Sequence, residues 1–213
     1  MRIHFVLVGE GPSDEGLIPH LENLCIELGA SEVTGISPDF QRLGKPFRRT
    51  TLDRLQAALR LEPTANLLFV HRDADSLDSA ARYEEIRDAV DQCRVRKPYV
   101  PVVPVQETEA WLLLDEAAIR TVAGHPKGKR PLDLPRPRHV ESIADPKEKL
   151  KLALIQASEL SGRRLERFRR DFPSHRRLLL QRMPSGGALL EIPSWMRLRE
   201  RLEQAIGSMQ KSI

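Results

Sequence analysis

Ile3-His4-Phe5-Val6-Leu7-Val8-Gly9-Glu10-Gly11-Pro12-Ser13-Asp14 and Leu67-Leu68-Phe69-Val70-His71-Arg72-Asp73-Ala74-Asp75 decide how this chain is read. Each is a short, unbroken apolar run that stops at a turn or at charged residues, the pattern of a strand buried on both faces of a sheet. Each run is followed by carboxylates. In open α/β sheets ligands bind beyond the carboxyl ends of the strands, so Glu10, Asp73 and Asp75 fall where such a fold places its site.

Outward from these two runs, helix and strand signals alternate. Ser13, Asp14 and Glu15 mark the start of a helix over 14–29 that Gly29 ends. A strand is expected near 32–37. Thr50 or Thr51 caps a helix whose apolar positions run through Leu52, Leu55, Ala58, Leu59 and Leu61 until Pro63 stops it. An exposed helix over 78–96 precedes a further strand at Tyr99–Val105, whose Pro101 and Pro104 suit an edge position or an irregular strand. Strands and helices alternating at these lengths predict an α/β fold: a mainly parallel four-stranded sheet with helices on both faces, followed by a C-terminal helical extension. By composition the chain divides into an α/β core at 1–123, a Pro/Gly-rich loop at 124–145, of which 124–138 is expected to be a hinge or mobile segment, and a basic helical extension at 146–213. Helices are expected there at about 146–160, 162–171, 174–183 and 194–208.

The 213 residues carry a formal charge of +4, but unevenly. Residues 1–146 hold 19 Lys/Arg against 23 Asp/Glu, whereas residues 147–213 hold 15 against 7. A basic surface of this kind attracts polyanions, because Lys and Arg that neutralise phosphates supply most non-specific nucleic-acid affinity. Arg163, Arg167 and Arg170 share a helix face by spacing and, with Lys147, form the expected phosphate-binding ridge; a solvated arginine-rich face is the other reading. No apolar run approaches the ~20 residues of a membrane span, which excludes a helical membrane protein. Met1-Arg2-Ile3 leads directly into the first strand without a cleavage pattern, so a cytoplasmic location is expected. Cys25 and Cys93 form neither a disulfide framework nor a zinc pattern and are read as reduced packing residues.

Magnesium takes hard oxygen ligands and binds through one or two carboxylates, with waters and substrate phosphates in its other positions. In an extended segment Asp73 and Asp75 point the same way and can face one ion; alternatively Asp75 or Ser76 caps the following helix. Glu10, between two glycines, is a candidate acid, base or ligand. Glu109, in Gln106-Glu107-Thr108-Glu109-Ala110-Trp111, is a further candidate at a strand's end, though an acid in a first helical turn also simply suits the dipole. The Gly9-Glu10-Gly11 turn lacks the third glycine of a dinucleotide fingerprint, where Asp14 stands, and no Gly-rich loop ends in Lys-Ser or Lys-Thr. His71 is read as structural, with proton transfer or a phosphate contact as the other reading, and Trp111 as core.

Gly9-Glu10-Gly11-Pro12-Ser13-Asp14 followed by Asp73-Ala74-Asp75 resembles the Toprim domain of topoisomerases, primases and OLD-family nucleases, whose signature is a glutamate after the first strand and an Asp-x-Asp after a later one. With Glu107-Thr108-Glu109-Ala110-Trp111-Leu112-Leu113 and Asp145-Pro146-Lys147, the chain is similar to a bacterial group of Toprim-like proteins associated with phage defence. The resemblance covers roughly residues 1–152. It implies a nuclease hydrolysing DNA or RNA with Mg2+ or Mn2+, in which Glu10, Asp73 and Asp75 hold the metal and Glu10, Asp73, Asp75 and Glu109 form the catalytic group. No tyrosine fits a nucleophile's place, which argues against strand passage. The alternative is a non-catalytic Toprim-like subunit that binds nucleic acid or a partner ATPase.

Overall fold

The computed structural model describes residues 1–43, 50–184 and 186–211. Four strands, β1 (Arg2–Val8), β2 (Glu32–Ile36), β3 (Leu67–His71) and β4 (Tyr99–Val102), form one sheet in the order β2-β1-β3-β4, with every pairing parallel. The α/β class and the all-parallel sheet are therefore as the alternation of apolar runs predicts. The two runs quoted at the outset are its two central strands. β3 is buried throughout and β1 at five of its seven positions, as a strand covered on both faces requires. Phe5 and Phe69 meet edge to face in the centre, their ring centroids 4.8 Å apart.

Three helices connect the strands: α1 (Ile18–Glu27), α2 (Thr51–Leu61) and α3 (Ala80–Gln92). β1 leads through α1 outward to β2, whereas the chain then crosses back through α2 to β3 and onward through α3 to β4. Right-handed crossovers therefore put α1 on one face and α2 with α3 on the other, and the direction of winding reverses between β1 and β3. The carboxyl ends of those two strands are the reversal point. β4 is an edge strand, and its ladder stops at Val102, in keeping with its prolines.

Local boundaries follow the capping chemistry. Thr50 accepts a hydrogen bond from the Asp53 N–H and starts α2 as expected. The helix expected from residue 14 instead begins as a 3-10 turn, Pro12–Leu17, before α1. α3 starts later than its charge pattern suggested: Asp78, not Asp75 or Ser76, accepts the Ala80 N–H at 2.8 Å.

Packing divides the described chain into two compact units, and the division is not the compositional one. The first comprises Met1–Asp73, Asp78–Val103 and the chain from Met196 onward; the second comprises Ala74–Leu77 and Pro104–Trp195. Residues 104–123 thus belong with the helices that follow. The last helix, α9 (Pro193–Gln210), mostly belongs with the sheet, where Leu198, Leu202 and Ile206 are buried and Arg199 pairs with Glu27.

The second unit is helical: α4 (Glu109–Leu112), α5 (Glu116–Val122), α6 (Pro146–Ser158), α7 (Gly162–Arg170) and α8 (Phe172–Arg182). Trp111 is buried there, donating its indole N–H to Ser194 at 3.0 Å and meeting Trp195 edge to face. Within the 124–145 loop Leu132 and Val140 are buried, and the buried Arg120 donates to the Arg130 carbonyl at 2.7 Å. Among the described residues no helix is long and apolar enough to cross a membrane.

Candidate functional site

The site at the reversal point is built on a buried imidazole. The β1–β3 register pairs Val8 with Val70, so the next residue of β3, His71, lies level with Gly9. His71 is 1% exposed, and its two ring nitrogens meet two carboxylates: Nδ1 is 3.2 Å from Asp14 Oδ2, and Nε2 is 3.5 Å from Asp73 Oδ1. Burial alone would push the imidazole pKa down, but its hydrogen bonds and charge interactions with Asp14 and Asp73 outweigh that and raise it to about 10. His71 is an imidazolium at neutral pH.

Asp14 joins this imidazolium to the glutamate turn. Its Oδ2 accepts the backbone N–H of Glu10 at 2.7 Å and of Gly11 at 3.2 Å, while Arg54 donates to the Gly9 carbonyl at 2.7 Å. Burial works to raise the Asp14 pKa, but the His71 hydrogen bond and charge and the two backbone donors prevail, leaving it well below the usual carboxylate range. Gly9 makes the close approach possible: a Cβ there would lie 2.8 Å from Asp14 Oδ2. The residue that spoils a dinucleotide fingerprint is the one that shapes this turn.

Glu10 is thereby presented at the end of β1, partly exposed, with its Oε1 2.7 Å from Arg72 Nε. That contact is an ion pair without a directed hydrogen bond, since the buried Arg72 Nε–H has no aligned acceptor. Another nitrogen of Arg72 donates to Thr51 at 3.0 Å and lies 3.2 Å from Glu85, which also binds Arg82 and accepts from the Thr51 hydroxyl. Arg82 in turn donates to the Asp73 carbonyl at 3.1 Å. Desolvation raises the Glu10 pKa; Arg72 opposes this, and the nearby charge of Asp73 adds to it. Glu10 also lines a cleft of about 520 Å³ with Glu15, Ser37, Asp39, Phe40 and Arg54.

Glu10 and Asp73 lie in the same unit, and the Asp73 charge works to raise the Glu10 pKa. Asp75 is different. The paired strand ends at His71, and Asp75 has a left-handed backbone (φ 53°), so the extended geometry expected to point it the same way as Asp73 is not found. It is exposed and belongs to the second unit. Glu109 is also in the second unit, 2% exposed, with its carboxylate 2.8 Å from Arg176 Nε of α8. Arg163, Arg167 and Arg170 are exposed along α7, and Lys147 is exposed in the first turn of α6.

Asp14 is the site residue that sequence reasoning overlooked, reading it as a helix-dipole acid. The available signal was His71 itself: a histidine at the end of a wholly buried strand, level with a glycine, requires a counter-charge that can reach it. Among the described residues no three His, Cys, Asp or Glu side chains converge as a metal-binding group. One or two carboxylates are enough protein ligands for magnesium, whose remaining positions are filled by water and phosphate oxygens, so in this unit Glu10 and Asp73 are the residues that could hold that ion. Comparison with protein-family models, with curated proteins and with solved structures finds no match to this chain.

Proposed function

We propose that this protein is a divalent-metal-dependent nuclease of Toprim-like type, hydrolysing phosphodiesters of DNA or RNA at the carboxyl ends of β1 and β3. The observation that carries the reading is the placement of Glu10 just past the end of β1 and of Asp73 just past the end of β3, the two strand ends at the reversal point of the sheet. Glu10 and Asp73 would hold Mg2+ or Mn2+, which supplies charge stabilisation at the phosphate and an activated water. Asp73 would be oriented by His71, whose Nε2 lies 3.5 Å from its Oδ1. Where Asp73 alone holds the ion, Glu10, whose pKa desolvation raises, would instead exchange a proton with water or the leaving oxygen. The roles of Asp75 and Glu109 rest on the sequence resemblance alone.

Glu10→Gln and Asp73→Asn each test this with a panel of single-stranded DNA, duplex DNA and RNA in manganese. The expected result is a rate lower by about 10²–10⁴-fold for Glu10→Gln, the span of general acid–base catalysis, and loss of metal-dependent cleavage for Asp73→Asn. Undiminished cleavage by both variants overturns the reading.

A second reading is favoured by the same ion pairs. Glu10 has Arg72, and Asp14 and Asp73 share His71, so the carboxylates already have internal cations. In that reading the chain is a non-catalytic subunit that binds nucleic acid or a partner ATPase. Titration calorimetry decides: magnesium or manganese binding that Asp73→Asn removes supports the nuclease, and no binding heat supports the subunit.

A further inference from the structure

The helical unit carries a second constellation, on α6, α7 and α8. α7 is anomalous as a helix: its nine residues include five arginines, and none of its residues is buried. Like charges three and four apart destabilise a helix, and so short a helix does not form without tertiary support. The support comes from half-buried Leu165 and Phe168. Phe168 lies against His175 of α8, with ring centroids 4.1 Å apart and planes 27° from parallel.

Those two rings line a cavity of about 360 Å³, within the ~300–1,000 Å³ of small-molecule sites. Leu152, Ile155 and Phe172 supply further apolar wall; Glu148, Lys151 and Arg169 supply charge. Lys151 Nζ sits 5.4 Å from the centre of the Phe172 ring. Lys151 pairs with Glu148 at 3.1 Å and Arg169 with Glu166 at 3.0 Å, exposed ion pairs of the kind worth little and readily exchanged for phosphate. Burial lowers the His175 pKa against the opposing pull of Asp171, so the ring is neutral at pH 7. Its Nδ1 is buried without a hydrogen-bond partner.

A cavity lined by a stacked ring pair, aliphatic side chains and two cations matches a nucleobase and its phosphate. Duplex bases are stacked and paired and cannot enter such a slot, whereas single strands are bound by stacking bases on aromatic side chains along a basic track. We infer that this cavity receives an unpaired base of a single-stranded nucleic acid, whose adjoining phosphate meets Lys151 and Arg169 at the cavity wall. The inference rests on the nucleic-acid function proposed above and specifies its substrate class.

Fluorescence anisotropy on the full chain tests it, with labelled oligothymidine, an abasic strand of equal length, a duplex, and free thymidine monophosphate as competitor. The base-bearing strand should bind about tenfold more tightly than the abasic strand or the duplex. Phe168→Ala should abolish that preference and Phe168→Trp retain it. Because Phe168→Ala removes one of the two anchors of α7, Leu152→Trp provides a second test: Leu152 is 50% exposed, so the larger ring closes the slot without disturbing the core. It too should reduce base-bearing strands to abasic affinity. Equal affinity for base-bearing and abasic strands, or a preference that survives both Phe168→Ala and Leu152→Trp, overturns the inference. Thymidine monophosphate competing as well as the strand overturns the strand as the ligand's source. A base preference in a chain that hydrolyses nothing refutes the nuclease and leaves this site standing; hydrolysis without base preference does the reverse.

Discussion

The carboxyl ends of β1 and β3 and the surface of α7 are both dense in charge, but charge does opposite things in the two places. In the sheet unit Asp14 and His71 are buried and Asp73 is partly so; the three satisfy one another, and their interactions fix a backbone turn. On α7 Arg163, Arg167 and Arg170 stand exposed, contributing nothing to a core. Buried charges are bound to each other so tightly that removing one strands the rest, whereas exposed ones exchange partners at little cost. The first arrangement holds geometry; the second is available to a ligand.

The sharpest way to break this contrast is Asp14→Ala. The substitution leaves the Glu10 and Gly11 amides without their acceptor and removes one of the two carboxylates that keep His71 protonated. A loss of about 3–5 kcal/mol is expected, the usual consequence of breaking a buried pair, measured as a lower urea midpoint at unchanged slope. A loss near zero would mean that the triad is not a structural unit.

The same triad makes stability depend on pH with a definite sign. His71 binds its proton more tightly folded than unfolded, so its contribution is complete below about 6.5 and is lost as pH rises through about 10. Between those limits the wild-type chain should lose at most about 1.4 kcal/mol per pH unit from this one proton. Urea titrations across pH 7–9 read the slope, and His71→Gln should flatten it. Asp14 acts in the acid direction: its lowered pKa gives stability above the ordinary carboxylate range that disappears as pH falls through the folded value.

A smaller effect is expected one residue from Glu10. Gly9→Ala places a Cβ 2.8 Å from Asp14 Oδ2 and 3.0 Å from Asp14 Cβ, and Asp14 is held by three donors and cannot easily retreat. Overpacking of this kind costs about 1–3 kcal/mol. If Gly9→Ala is neutral, the turn is looser than its hydrogen bonds indicate.

The two regions also differ in how far the sequence revealed them. The central strands were legible because Phe5–Val8 and Leu67–Val70 are apolar on both faces, and only a strand covered on both sides uses such a run. Glu10 and Asp73 were legible for the same reason, since strand ends dictate where the following residues emerge. Asp14 was not, because an aspartate near a helix start has a sufficient local explanation, and only the register that sets His71 level with Gly9 supplies the other. The backbone at Asp75 was not legible, because alternation holds only as far as the paired strand, which ends at His71, and Asp75 is left-handed. Likewise, the partition of α9 and of residues 104–123 depends on long-range packing, to which composition is blind.

The exposed side of the contrast predicts a variant that hardly touches stability. Arg163→Ala, Arg167→Ala and Arg170→Ala combined remove three surface cations and, by relieving their mutual repulsion on one helix face, should leave the unfolding free energy within about 0.5 kcal/mol of wild type. Nucleic-acid affinity should respond instead. Each phosphate contact contributes about −0.7 to the slope of log K against log salt for a single strand, so three lost contacts should flatten that slope by about 2, whatever the base sequence. A large loss of stability would make α7 a structural helix after all, and an unchanged salt slope would remove its arginines from the binding surface. Unchanged stability with a flattened slope would keep the two regions distinct, with charge that shapes the fold at the sheet and charge that meets the ligand on the helix.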